Sequence, residues 1–477
     1  MILKKITIHN YRSIEELSFD INQLNDETYT YGLIGVNEVG KSTILKAMAL
    51  KDGLKDEKSQ ALPLAIDFKD KDQPIEIEYF YFLDKEEINE CKKHLKVQSP
   101  DADLSKINLS EINLIISFNH ANPSQQESIV DIKKISEDNE EKTKIEEQLK
   151  QLVLQKSHKS IFWKAEDRYL ISQPINLDQF ATTPDDVSIP LKNCFLLAGI
   201  NKDNIQGKIS SLASDSTEIE ELQNNLGEVV TKHIRKVWPK HPIEITFVIN
   251  SGLIHFHVKD LKVKGRAKTA SQRSDGFKQF ISFLLTVSAE NEKNQLSNSI
   301  LLLDEPETHL HPQAQEDLLQ ELIKITKNKN NNIAFFATHS NYMIDKKDLS
   351  RNYKIKKPEK TDITEKEQFD KKFSTYASVT YEVFEIDSMD YHNELYDKLR
   401  EKYSNEIEKD NIGILEFDNG FFVQKYKQKT NYPYKTKQNI VTLPTFVRNA
   451  IHYPQNKDDK FSEYLQKSIK LLKSYEN

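Results

Sequence analysis

The chain has 477 residues, 37% of them hydrophobic and 30% charged, with a mean hydropathy of −0.65; it is long enough for two or three domains with a real core and too apolar for a disordered polymer. The 67 basic residues against 74 acidic ones leave a net charge of −7, which excludes a globally basic nucleic-acid coat and confines any such contact to local patches. Cys91 and Cys194 sit in no CxxC or Cys/His cluster, the first 20 residues hold no apolar signal core, and no run of 18 apolar residues occurs. These features argue against a disulfide scaffold, structural zinc, secretion and a membrane span, so a cytoplasmic location is expected.

In chain order, Ile2–Ile8 and Glu16–Ile21 alternate as strands, and Thr28–Ile34 is an apolar β-rich run. Gly35-Val36-Asn37-Glu38-Val39-Gly40-Lys41-Ser42 follows, then a short helix beginning at Thr43. Residues 74–83 read as another strand. Residues 84–160 turn Lys/Glu/Asn/Ser-rich, with two helices; the second carries a thin stripe of Ile145, Leu149, Leu152 and Leu154, which reads as a helical arm or inserted lobe. A helix over 216–238 precedes two alternating strands, at 243–249 and 253–265. A polar segment at 271–276 then opens an apolar helix over 277–290. Residues 299–304 and 332–337 read as buried strands flanking a helix at 311–324. Beyond 345 the chain is polar and Lys-rich, with apolar-periodic helices near 391–405 and 460–474.

Gly35–Ser42 matches G-x-x-x-x-G-K-S between a buried strand and a helix, as a phosphate loop requires. Its glycines let backbone N–H groups approach phosphate oxygens, Lys41 reaches the β- and γ-phosphates, and Ser42 offers a hydroxyl to Mg²⁺. Asn37, Glu38 and Thr43 belong to the same candidate nucleotide site. Asp304 ends a four-residue apolar strand and is placed to hold Mg²⁺ or its water shell. Glu305 is placed to orient or deprotonate an attacking water. His339, after the second buried strand, can hydrogen-bond a γ-phosphate or that water. Ser274 is a good N-cap for the helix holding Gly276, and a helix N-terminus favours anions. His309-Leu310-His311 has no Cys, His or Asp partners nearby in sequence and reads as a loop rather than a metal site. Lys41 and Asp304 lie 263 positions apart, so a long insert separates the two halves of the site.

Asn10-Tyr11-Arg12-Ser13, the phosphate loop, Arg273–Lys278, the run from Leu301 to Pro312 and Ala337–Ser340 together resemble the ABC-type ATPases of the OLD (overcoming lysogenization defect) group, relatives of RecF and SMC heads. The resemblance covers residues 1–345. It implies an α/β fold: a P-loop ATPase head split by a helical or mixed insert, followed by a mostly α or α+β region. The boundaries expected are 1–83 and 241–344 for the head, 84–240 for the insert and 345–477 for an accessory domain. It also implies ATP and Mg²⁺ as cofactors, with Arg12 at the nucleotide. Heads pair head to tail as a homodimer or larger homo-oligomer, with Ser274 and Gly276 of one protomer completing its partner's site. Such ATPases are similar to the ATP-sensing halves of anti-phage systems that work with a nuclease. Asp275 stands where the ABC signature usually has Gly.

Residues 345–477 show no early Glu followed by Asp-x-Asp, the pattern of a Toprim nuclease, so a separate nuclease or effector chain is expected. The alternatives are a self-contained nuclease in this region and a RecF-like DNA-repair ATPase. Arg448 and His452 on one helix face are the nuclease candidates. The Lys/Tyr run Lys425, Tyr426, Lys427, Lys429, Tyr432, Tyr434, Lys435 and Lys437 is a candidate for DNA or RNA contact. So is the basic stretch of Lys259, Lys262, Lys264, Arg266, Lys268 and Arg273.

Overall fold

The computed structural model describes residues 1–52, 54–56, 59–61, 63–98, 104, 108–132, 139–163, 167–212, 216–239, 242–262, 267–288, 296–327, 330–358, 362–368, 375–434, 436–453 and 459–476. The chain is mixed α/β and divides into two units, Met1–Lys371 and Lys372–Asn477. In the first unit, β1 (Ile2–Tyr11), β2 (Ile14–Asp20) and β3 (Thr30–Ile34) precede α1 (Lys41–Ala49). Then come β4 (Ile75–Phe82), β5 (Glu111–Asn119), β6 (Asn122–Ile132), α2 (Asn139–Lys156) and β7 (Lys159–Trp163). After a helical stretch ending in α3 (Ser216–Val237) come β8 (Ile243–Asn250), β9 (Leu253–Asp260) and α4 (Asp275–Phe283). The unit ends with β10 (Ser299–Asp304), α5 (Pro312–Lys327), β11 (Ile333–Thr338), β12 (Asn352–Lys356) and β13 (Glu365–Gln368).

The central sheet runs β13-β12-β3-β11-β10-β7, parallel except for the β12–β13 pair. Its inner strands are continuous apolar runs because both faces are covered. Ile300 and Leu302 of β10 enter one core, shared with α1 and a five-stranded antiparallel sheet ordered β2-β1-β4-β5-β6. Leu301 and Leu303 enter a second core, built by the helices of 177–237, the β8–β9 hairpin and α4. Each such Leu, fully buried, contributes about 1.5–3 kcal/mol.

The reading of 84–160 as an arm or inserted lobe is corrected by these contacts. Strands β5 and β6 extend the antiparallel sheet and β7 is an edge strand of the central sheet. Helix α2 packs through Ile145, Leu149 and Val153, all buried, so its thin stripe is a core-facing seam. The boundary expected at 345 also differs. Residues 352–356 pair in parallel with β3, and 365–368 pair with them, so the head's central sheet continues past the last motif.

The second unit is mainly helical: α6 (Tyr376–Phe384), α7 (Met389–Glu406), α8 (Leu443–His452) and α9 (Phe461–Glu476) surround an aromatic-rich core that includes Tyr396, Phe417 and Phe422. Among the described residues, no helix is long and apolar enough to cross a membrane, and both cysteines are buried and free.

Candidate active site

The parallel sheet gathers the chemistry at one edge. Side by side in register, β3, β11 and β10 place the loop after Ile34, the Thr338-His339 step and the Asp304-Glu305 step at their shared C-terminal ends. Ligands of open parallel sheets bind at that edge. The phosphate loop turns from β3 into α1 through Gly40, at φ +104°, where an L side chain would be strained and a Cβ would lie 2.4 Å from Thr364 Oγ1. Lys41 is buried and folds back, its Nζ donating to Gly35 O at 2.9 Å and Val36 O at 2.8 Å. Burial pulls its ammonium below the ordinary value, while Glu305, Asp304 and Glu307 push it back.

Ser42 Oγ donates to Asp304 Oδ1 at 2.7 Å, joining residues 262 positions apart. A hydroxyl and a carboxylate are hard oxygen donors; Mg²⁺ takes few protein ligands, its other positions being filled by water and phosphate, so this donor set fits it. Among the described residues, no group of three or more His, Cys, Asp or Glu is arranged to hold a metal. Glu305 sits at φ +48°, its N–H donating to Ala337 O at 3.1 Å. Its Oε1 lies 3.4 Å from His339 Nδ1, and both side chains reach solvent.

Ser13, Asn37, Glu38, Gly40, Lys41, Ser42, Thr43, Glu305 and Lys357 line a cavity of about 240 Å³. Arg12 is turned aside: its Nε donates to Asp67 Oδ1 at 2.7 Å and its guanidinium lies over Tyr11, while Ser13 supplies the lining. Ser274 and Gly276 stand elsewhere, on a separate cavity of about 470 Å³ shared with His309 and His311. Ser274 caps α4, accepting from Phe277 N at 3.4 Å, and a Cβ on Gly276 would lie 2.0 Å from His309 O. Within one chain, therefore, the signature-like segment and the phosphate loop open onto different cavities.

Three residues at this site had no role assigned from sequence. Lys357 comes from a segment with no nucleotide motif of its own, while Ser13 ends the Asn10–Ser13 run that carried the resemblance, and there only Arg12 was placed at the nucleotide. Glu307 is two positions beyond Glu305; its Oε1 accepts from Thr338 Oγ1, and its Oε2 has no hydrogen-bond partner among the described residues. Burial pushes its carboxyl up to about 7. The Asp-Glu-Pro-Glu run was the available signal for it.

In the second unit, Arg448 lies over the Tyr396 ring, 5.6 Å from its centroid, while His452 is exposed at the end of α8. The Lys/Tyr run is partly consumed by packing. Tyr426 lies 4.2 Å from the Tyr475 ring, Tyr432 stacks on Phe446, Tyr434 is buried, and Lys425 pairs with Glu406 at 2.5 Å. Lys427 and Lys429 are exposed, while Lys435 and the side chain of Lys437 lie outside the described residues. In the basic stretch, Lys259 pairs with Glu244, Arg273 covers Phe277, and Lys264 and Arg266 lie outside the described residues.

Comparison with known proteins adds three findings. An uncharacterized protein of Methanocaldococcus jannaschii, MJECL43, is 29% identical over 126 residues, covering 25% of this chain and 32% of that relative, so the chain spans about a third of its length. An SMC head solved with the C-terminal winged-helix domain of ScpA superposes with a TM-score of 0.46 at 12% identity, covering 77% of this chain and 98% of the other. An SMC head domain from Thermotoga maritima gives 0.38 at 11%, covering 78% and 100%. The AAA ATPase domain model matches residues 1–344, most of the chain and all of its nucleotide motifs, and the chain belongs to that family of ATP-binding ATPases.

Proposed function

We propose that this chain is a Mg²⁺-dependent ATPase whose heads pair head to tail around ATP, and that hydrolysis gates a separate effector, a nuclease in an anti-phage setting. The observation that carries the ATPase reading is the meeting of Ser42 and Asp304 at 2.7 Å, beside Glu305 and His339 at 3.4 Å. Lys41 exchanges its loop carbonyls for phosphate oxygens, and the loop from Gly35 to Gly40, with Asn37, Glu38 and Thr43, cradles the chain of phosphates. Ser42 and Asp304 would hold Mg²⁺, which when bound neutralises charge on the phosphates. Glu305 orients the attacking water and accepts its proton. His339, within reach of Glu305, keeps that carboxylate aimed and senses the γ-phosphate.

The head-to-tail reading is supported by the separate placement of Ser274 and Gly276 on their own cavity, where a second protomer's nucleotide could be met. The testing experiment measures ADP release and ATP affinity for Lys41→Ala and Glu305→Gln. The reading expects lost binding for the first, and retained binding with lost turnover for the second. Turnover by Glu305→Gln at the wild-type rate would contradict it. The effector reading expects purified protein with Mg²⁺ and ATP to leave DNA and RNA intact; nicking by this chain alone would favour a self-contained nuclease.

A further inference from the structure

We propose that the β12–β13 segment is a nucleotide-reading brace, and that Lys357 binds the phosphate chain of the bound nucleotide in cis. This rests on the ATP-binding reading of the phosphate-loop cavity. The segment lies beyond residue 344, where the ATPase domain match ends, yet it is built into the loop's own wall. Strand β12 pairs in parallel with β3, Lys354 opposite Ile34, so the chain leaving β12 runs alongside the chain entering the phosphate loop. The fit is close: a Cβ at Gly35 would lie 2.4 Å from Ile355 O.

Thr364, just before β13, fastens the other side. Its Oγ1 lies 2.7 Å from Ser13 Oγ and donates to Val39 O at 3.1 Å, and its N–H donates to Ser13 O at 2.9 Å. Thr364 and Ser13 are both buried, so these bonds hold the loop and the segment as one piece.

Lys357 follows β12 directly and lines the cavity with Lys41, Ser42 and Thr43. Its Nζ lies 2.7 Å from a carboxylate oxygen of Asp362, whose side chain is largely exposed and which Lys357 holds below the usual carboxylate range. An exposed ion pair is worth little, so its ammonium is a poised cation: phosphate oxygens carry more charge than Asp362 and replace it at small cost. Lys357 then adds a second cation to Lys41 in the lining of the cavity. ATP occupancy thereby acts on a segment only a few residues upstream of the second unit.

The experiment measures equilibrium binding of ATP to the full chain in wild type, Lys357→Met, Lys357→Arg and Asp362→Asn, with circular dichroism as the folding check. Lys357→Met is expected to weaken ATP about tenfold, the worth of one charge-assisted contact, and Lys357→Arg to stay within about threefold of wild type. Asp362→Asn, which removes the competing acceptor, is expected to tighten ATP by about twofold to threefold. Unchanged affinity in Lys357→Met overturns the proposal. So does weakening in Asp362→Asn equal to that in Lys357→Met, because the ion pair would then act as a structural clasp. Failure of the wild type to bind ATP would instead sink the underlying ATPase reading.

Discussion

Glu305 and Glu307 are two carboxylates two positions apart in opposite environments. Glu305 reaches solvent beside His339; Glu307 is buried against Thr338, with Glu305, His339 and Lys41 as its charged neighbours. The exposed one suits a base that must meet water. Glu305→Gln is expected to lower kcat by about 10²–10⁴-fold, the range for a lost general base, with ATP affinity changed little. Steady-state ADP release and equilibrium binding check both. For Glu307, the folded carboxyl near 7 stands above its ordinary 4.5, so between those values the native state holds a proton that the unfolded chain has released. The contribution of this carboxyl to stability is therefore full below about pH 4.5, falls as pH rises towards 7, and is lost above, a change on the order of 3 kcal/mol. Urea midpoints at pH 5 and 7.5 should show a smaller drop in Glu307→Gln than in wild type. Equal drops would mean that Glu307 does not hold its proton.

At the scale of elements, close approach and buried charge make the sharpest demands. Gly276 begins α4 directly against His309 O, and Gly276→Ala is expected to destabilise by about 1–3 kcal/mol as the two segments move apart. An unchanged urea midpoint would show that the contact yields freely. Arg351 is fully buried just before β12. Its guanidinium meets Asp26 at 2.6 Å and Asp345 at 3.1 Å and donates to Thr30 O, so it ties β12 to the start of β3. Arg351→Met leaves Asp26 and Asp345 without their cation; because both carboxylates reach water in part, it is expected to cost about 1–3 kcal/mol in a denaturant titration. Periodicity revealed β3, β10 and β11 because strands buried on both faces are unbroken apolar runs. It concealed the membership of β5, β6 and α2, since a charged surface on one face looks alike on a free arm and on an edge element. Pairing partners distant in sequence, such as β7 with β10, leave no local pattern.

Across the whole molecule, the site was legible where its parts are contiguous. Gly35–Ser42 and Asp304-Glu305 are short covalent runs whose chemistry is written in their spacing. Lys357 and Thr364 were not legible, because the β12–β13 segment that brings them to the loop carries no phosphate signature; Ser13 lay in a named run, but its bond to Thr364 joins residues distant in sequence. The C-terminal candidates read as chemistry in sequence, whereas Tyr434 belongs to a core and Arg448 covers an aromatic ring. Ser274 and Lys41 open onto different cavities of the same head, and under the proposed head-to-tail pairing one nucleotide needs two chains. Complementation of ATPase activity between Lys41→Ala and Ser274→Arg proteins tests it most directly. Each alone should be inactive, and an equimolar mixture should recover about a quarter of the wild-type rate, because half the pairs would be mixed and each mixed pair holds one intact site. A mixture as inactive as its components, or a fully active Ser274→Arg protein, would contradict the composite site.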